Sequence, residues 1–427
     1  MKIILHPERS AWADLTIRTS LDTYEDLERA VKPILRAVKR SGDAALRRYI
    51  YKYDKVRVKD FMVGAEEFEE AQSYVSEDLK KAIQQAKYNI AQFHMNQRVS
   101  NKKIETVEGV RCWQRSVGIR RVGLYVPSRH APLFSTILML GIPANIAGCG
   151  ETILCSTPDR EGRLHPIILY TAKLLNISKV FKVGGVQAIA AMAYGTESIP
   201  KVNKIFGPSN QYVTVAKQLV SKQDVAVDLP AGPSELLVLA DESANPAFVA
   251  ADLIANAEHF NNSQPMLLSS SEELVKKVLA EIKRQLPGSS RPESAAKDLE
   301  QAHAIVFQSN VEAIEFINMY APETLSLAIQ NAEAVSERIY NAGAIYIGHY
   351  TPESISYAAG PNNTLPTNGY AKAYSGLSLD SFVRKINCYD VTAQGLKNIG
   401  KHVEEIASAE DLMARKNAVS IRLTNSD

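Results

Sequence analysis

From about Gly118 onward, short runs of β-branched and apolar residues alternate with longer segments whose apolar residues recur at helical spacing. Such alternation marks a parallel sheet with crossover helices, because parallel strands need a long connection to return to the same edge. A first set of strands is predicted at residues 121–126, 151–156, 179–183, 202–206 and 224–228, with helices such as 166–175 and 187–193 between them. After the interruption Pro230-Ala231-Gly232-Pro233 a second set follows, at 236–240, 266–270, 304–307, 325–328 and 344–347. Two α/β units are implied. The first hundred residues read as mostly helical, with amphipathic runs at 23–39 and 77–96. Beyond Gly376 the pattern weakens into a tail, 377–427, whose last helical stretch is expected near 396–416; it is too small for its own core and is expected to pack on another domain or a second subunit.

Composition changes this picture little. A chain of 427 residues, 45% hydrophobic, can bury two or three ordinary cores. Lys and Arg total 49 against 47 Asp and Glu, and no long basic run is present, which argues against nucleic acid as a partner. The uncharged stretch 133–150 is interrupted by Gly141, Pro143 and Asn145, so it is expected to be a buried helix and loop, with no membrane partner. The amino terminus lacks the pattern of a secretory signal, and a cytoplasmic protein is expected. Cys112, Cys149, Cys155 and Cys388 show no CxxC spacing and read as free thiols.

Chemistry is sparsely marked. There is no GxGxxG and no Walker loop; Gly184-Gly185 follows a strand and opens a helix, a place where backbone N–H groups can meet a ligand or simply make a tight turn. The turns Gly207-Pro208-Ser209-Asn210 and Pro230 to Glu235 both follow strands, and ligands of open α/β sheets sit outside the carboxyl ends of strands. Ordinary connections explain them equally well. The eight histidines show no metal-binding spacing; His259 in Asn256-Ala257-Glu258-His259 is the only one with polar neighbours at helical spacing.

Longer motifs carry a resemblance. Val122-Gly123-Leu124-Tyr125-Val126-Pro127, the stretch Val183-Gly184-Gly185-Val186-Gln187-Ala188, the stretch Gly207-Pro208-Ser209-Asn210-Gln211-Tyr212, Asp228-Leu229-Pro230-Ala231-Gly232-Pro233-Ser234-Glu235, Gly360-Pro361-Asn362 and Lys416-Asn417-Ala418-Val419 occur in the order and near the spacing of histidinol dehydrogenases. The chain resembles that family over nearly its whole length. The resemblance implies an NAD-dependent, zinc-containing homodimer that oxidises L-histidinol to L-histidine through an aldehyde. Its fold would be two intertwined Rossmann-like α/β units with a helical N-terminal region and a C-terminal tail exchanged between subunits. The implied division is an N-terminal segment 1–21, a discontinuous α/β domain of 22–124 and 235–376, a nucleotide-side domain 125–234, and a dimerisation tail 377–427.

The resemblance also assigns residues. Tyr125, Gln187 and Asn210 match the family's NAD contacts, although Ser128-Arg129-His130 stands where the family has paired glycines. The family's zinc ligands are a glutamine, two histidines and an aspartate; the matching positions hold Asn256, His259, Ser356 and Arg415, so only His259 is kept. Arginine has no lone pair to offer, and the set speaks against zinc. The family's catalytic Glu-His pair is Glu323-Thr324; Glu323 can still activate water, whereas a threonine hydroxyl is no base near neutral pH. Ser234 and Glu410 match substrate contacts, and Asn363 replaces a further histidine.

The expected function is that of a histidinol dehydrogenase-like protein, by descent an NAD-dependent oxidoreductase, with impaired or altered activity. Three alternatives stand beside it: an authentic histidinol dehydrogenase recruiting other groups, a dehydrogenase of a different substrate with an anionic group for Arg415, and a non-catalytic dimeric binding or regulatory paralogue.

Overall fold

The computed structural model describes residues 1–18, 24–99, 102–129, 131–229, 232–259 and 263–425, the side chain of His259 excepted. In chain order the strands begin with β1 (Lys2–Leu5), β2 (Ile104–Val107), β3 (Val110–Gly118), β4 (Arg121–Val126), β5 (Glu151–Ser156), β6 (Lys179–Lys182), β7 (Lys204–Phe206) and β8 (Ala226–Val227). They continue with β9 (Glu235–Ala240), β10 (Gln264–Ser269), β11 (His303–Val306), β12 (Thr324–Ala328), β13 (Ala344–Ile347) and β14 (Val383–Val391). The principal helices are α1 (Tyr24–Asp54), α2 (Glu77–Met95), α3 (Phe134–Ile146), α4 (Pro166–Leu174), α5 (Gly185–Tyr194), α6 (Gln211–Ser221), α7 (Pro246–His259), α8 (Ala393–Ala409) and α9 (Met413–Thr424).

Two parallel sheets form, as the alternating pattern predicts. One has the order β6-β5-β4-β7-β8 and the other β1-β11-β10-β9-β12-β13. Their central strands are apolar on both faces; all six residues of β9 are buried, as a strand covered by helices on two sides must be. Each sheet therefore carries two cores. The long helices α1 and α2 bury their apolar faces in the two cores of the five-stranded sheet, α1 beside α5 and α6, α2 beside α3. Helix α3 is buried almost all round, which accounts for the uncharged stretch 133–150. No described helix is long and apolar enough to cross a membrane.

Several elements differ from the sequence reading. β1, inside the expected N-terminal segment, pairs with β11 as the edge of the six-stranded sheet; a four-residue, largely exposed strand leaves little alternation to read. α1 runs well past residue 39 because Gly42, at φ 45 and ψ −129, joins two helices across a kink. The strand expected at 224–228 shrinks to β8. In the tail, β14 pairs antiparallel with β3 along its whole length, and the single helix expected at 396–416 is two, α8 and α9, parted where Asp411 takes φ 55. β14 carries charges and is part-exposed throughout, so it lacks the apolar signature of a core strand.

The order of strands also locates two crevices. In the first sheet the chain builds β4, β5 and β6 to one side and then crosses to lay β7 on the other side of β4; in the second it builds β9, β10 and β11 before placing β12 beside β9. Each reversal parts the crossover helices and opens a cleft. β8 is left at its carboxyl end, where 228–229 lie, and β9 is entered at its amino end, where 232–234 lie.

Candidate functional site

Ser234, Glu323 and Thr324 stand at the amino edge of the six-stranded sheet, where β9 and β12 lie side by side. The sequence reading placed the Pro230 to Glu235 turn outside the carboxyl ends of strands; Pro230 and Ala231 lie outside the described residues, and Ser234 and Glu235 open β9 from the amino side.

The edge is held by two glutamates that exchange hydrogen bonds. The Glu235 backbone N–H donates to Glu323 Oε2 at 2.9 Å, and the Glu323 N–H donates to Glu235 Oε2 at 3.2 Å. Glu235, 1% exposed, also accepts from the Asn368 N–H at 2.7 Å and from the Arg18 guanidinium at 2.7 and 3.1 Å. Arg18 lies 3.9 Å over the Tyr320 ring and donates to the carbonyls of Tyr320 and Ala321. A buried, bidentate ion pair thus fixes the chain just before β12, and with it Glu323.

Glu323 itself faces a second group of polar side chains. The Ser234 hydroxyl donates to its Oε2 at 3.2 Å, and Asn256 Nδ2 donates to Ser234 Oγ at 3.3 Å. Asn256, 2% exposed, also hydrogen-bonds Glu353. Burial pushes Glu323 up to about 8, helped by the charges of Glu235 and Glu353 against the hydrogen bonds it accepts. Burial likewise pushes Glu353 up to about 7, with the Asp252 charge adding to it, and Asp252 up to about 6. Thr324, the first residue of β12, is 2% exposed.

The positions matching the zinc ligands test poorly as a metal site. Asn256 is tied to Ser234 and Glu353, and Ser356 hydrogen-bonds Tyr346. Arg415 is a guanidinium without a lone pair. The His259 side chain lies outside the described residues. Among the described residues no group of three or more His, Cys, Asp or Glu is arranged to hold a metal. As a set these residues do not fit zinc: they offer one amide oxygen, that of Asn256, which has no hydrogen-bond partner among the described residues, a hydroxyl bound to Tyr346, and a cation.

Glu410 and Arg415 stand apart from this cluster within one chain. Glu410 caps the end of α8 and Arg415 lies in the first turn of α9. The α8–α9 hairpin packs on itself and on β2, with Thr392 N–H donating to Gly109 O and Asn398 Nδ2 to Glu108 O. Asn363 sits in the loop 362–368, which is anchored to the site's edge by the Thr367 hydroxyl accepting from Gly232 N–H and by the Asn368 bond to Glu235.

The positions matching the family's NAD contacts gather at the other crevice. Tyr125 is the last residue but one of β4, Gln187 is in the first turn of α5, and Asn210 caps α6 after β7, so all three lie at the carboxyl edge around the reversal between β4 and β7. Gly207 is required here: at φ 141, a Cβ would lie 2.0 Å from the Tyr125 carbonyl oxygen. Buried Lys217 pairs with Asp228 and donates to Gly207 O, while Asp228 accepts the Gly207 N–H at 2.7 Å, pinning the turn. Tyr125 is buried, and its hydroxyl accepts the Gly185 N–H at 3.2 Å; burial pushes it up to about 12. The N–H at this helix start therefore has a partner within the protein. Gln187 is also buried, and Asn210 Oδ1 accepts the Val213 N–H at 3.0 Å. Ser128 and Arg129 turn toward the protein, the hydroxyl to Thr157 O and the guanidinium to Asp54 at 2.6 Å; His130 lies outside the described residues.

Arg18, Glu235, Asp252, Tyr346 and Glu353 were not found from the sequence. Glu353 and Asp252 stand three and four residues from Ser356 and Asn256, so helical spacing could have flagged them. Arg18 meets Glu235 across 217 positions, and no local pattern announces such a pair.

Comparisons with known proteins agree with the geometry. A family model described as histidinol dehydrogenase matches residues 17–423. The chain is 55% identical over 424 residues to a histidinol dehydrogenase of Bacteroides thetaiotaomicron, covering 99% of each chain, and 45% identical over 413 residues to one of Yersinia pestis, covering 96% of this chain and 92% of that one. The crystal structure of histidinol dehydrogenase from Elizabethkingia anophelis superimposes with a TM-score of 0.96 at 47% identity, covering 99% of this chain and 98% of the other. With motifs, fold and full-length similarity in agreement, the chain belongs to the histidinol dehydrogenase family of histidine biosynthesis.

Proposed function

We propose that this family member carries out the NAD-dependent oxidation of L-histidinol to L-histidine with an impaired first step. One observation supports the reading above others: the metal positions hold a guanidinium without a lone pair, Arg415, and a hydroxyl bonded to Tyr346, Ser356. Loss of the proton acceptor adds to it. Hydride leaves an alcohol only as its proton is taken, and Thr324 offers no base; removing a positioned base costs about 10²–10⁴-fold in rate. Glu323, poised at about 8, suits the later step of activating water on an aldehyde.

NAD is the cofactor proposed for the crevice around Gln187 and Asn210, on the strength of its place at the strand reversal. A cytoplasmic homodimer is proposed as the working form, since the α8–α9 hairpin leaves Ile406, Met413 and Ile421 more than half exposed and a second subunit would cover them and bring Glu410 and Arg415 to a site. A second reading, a substrate with an anionic group, is favoured by Arg415 alone: it is exposed and makes no ion pair with the described residues.

Metal analysis of the purified protein combined with a histidinol-dependent NADH assay tests the proposal. The expected result is substoichiometric zinc and a rate about 10²–10⁴-fold below a family enzyme assayed in parallel, rising when Thr324→His and Arg415→His are introduced together. Stoichiometric zinc with an ordinary rate overturns it.

A further inference from the structure

Helix α1 carries its cations on one side. Before the kink at Gly42 it buries Val31, Ile34 and Val38, and after it Leu46, Tyr49 and Ile50, all in the same core of the five-stranded sheet. Both halves therefore turn their outer sides to the same solvent. Exposed there are Arg36, Lys39 and Arg40 before the kink and Arg47, Arg48 and Lys52 after it. Neither acidic residue of this stretch offsets them: Asp43 is buried and hydrogen-bonded to Ser198, and the Asp54 side chain, 8% exposed, is paired with Arg129. The kink brings in one carboxylate, Glu197, which accepts the Asp43 N–H at 2.7 Å. Lys39 pairs with Asp224, and the other five cations form no ion pair among the described residues.

This arrangement works against the helix, since like charges four residues apart repel, and Arg36 stands over Arg40 as Arg48 does over Lys52. Aromatic rings are interleaved with the cations. Arg48 lies 4.9 Å over the Tyr49 ring, Lys52 5.1 Å over Tyr53 and Arg57 5.5 Å over Tyr51, while Tyr49 and Tyr53 stack at 5.9 Å. Tyr51 and Tyr53 remain 52% and 43% exposed. The sequence reading set nucleic acid aside for want of a long basic run. No such run can form in this helix, because every turn returns apolar residues to the core; the cations come in ones and twos that only the fold gathers on one side.

We infer that the outer face of α1 from Arg36 to Lys52 binds a single strand of nucleic acid, with phosphates on the cations and a base stacked on Tyr51. A row of unpaired cations matches a polyanion whose charges repeat along its length. Exposed rings beside them favour unpaired bases, whose faces a duplex keeps stacked. An acidic protein segment would leave the rings unused. An anionic membrane is the poorer match too, since the apolar side of α1 is occupied by the core and none is left to insert.

Fluorescence anisotropy of a labelled RNA strand of about 12 nucleotides, titrated with the full-length protein, tests this, with a DNA strand of the same sequence alongside. Binding of either strand is expected, weakening about 50-fold between about 50 and about 200 mM salt if about four phosphates are engaged. Arg48→Glu with Lys52→Glu should abolish it. Lys276→Glu with Lys277→Glu, at exposed lysines of the helix Glu272–Gln285, changes the net charge equally and should leave binding within about twofold. Tyr51→Ala should weaken binding about fivefold or more. If circular dichroism finds the Arg48→Glu, Lys52→Glu protein unfolded, Arg48→Ala with Lys52→Ala takes its place and should lower the salt slope by about 1.4. No binding of either strand, equal losses in the two charge-reversed proteins, an unchanged affinity in Tyr51→Ala, or tighter binding of polyglutamate, of the annealed duplex or of phosphatidylserine vesicles overturns the inference.

Discussion

Replacing Arg18 with methionine removes the cation from a buried pair while keeping a long apolar stem. The side chains of Arg18 and Glu235 are 13% and 2% exposed, so the Glu235 carboxylate is left dehydrated, with only the N–H groups of Glu323 and Asn368 for company. Breaking a buried pair from one side costs about 3–5 kcal/mol, and the two remaining hydrogen bonds set the expectation near the low end, about 3 kcal/mol. With a urea slope on the order of 3 kcal/mol/M, the midpoint should fall by about 1 M. The chain has two tryptophans, and Trp12 packs edge-on to Phe307 and Phe316 in the core of the same sheet. A Trp113→Phe background therefore makes fluorescence report on the six-stranded unit alone. Glu235→Gln in the Arg18→Met protein should recover part of the loss, with a coupling of about 2 kcal/mol or more in the double-mutant cycle. A cost under about 1 kcal/mol for Arg18→Met, or single effects that add within about 0.5 kcal/mol, would show that the pair does not hold this edge.

Three further outcomes are expected. Burial holds the His94 imidazole below its ordinary 6.5 despite its 2.8 Å contact with Gln97; its stability contribution is full above the unfolded value of about 6.5 and is lost as pH falls from there through the folded value, so urea midpoints measured from pH 7.5 to 5 should drop less steeply in His94→Gln. Gly207→Ala puts a methyl group into the Tyr125 carbonyl and should cost about 2 kcal/mol or more, or prevent soluble expression; a melting temperature within a degree of the parent's would refute the close approach. Asn210→Ala removes the cap of α6 and should cost about 1 kcal/mol by denaturant unfolding; NAD affinity measured in the same variant separates a capping role from a ligand contact, because unchanged stability with weakened NAD binding contradicts the first.

The residue pattern was enough to predict the parallel architecture, since strands covered on both faces must be apolar throughout and their crossovers must be helical. It also determined what the side chains at the positions matching the family's ligands and base can offer, an amide at Asn256, hydroxyls at Thr324 and Ser356 and a guanidinium at Arg415, whatever surrounds them. Weakly patterned elements stayed hidden. β1 is short and exposed, and β14 is charged, so each owes its conformation to the strand beside it, β11 and β3. Tertiary structure alone decided how the site is held and charged. Arg18, Glu235 and Glu323 come from three distant parts of the chain, and the upward shift of Glu323 arises from the burial and neighbouring charges that their meeting creates. Local sequence fixes what a side chain can donate or accept; only the fold fixes which partners and how much water it finds.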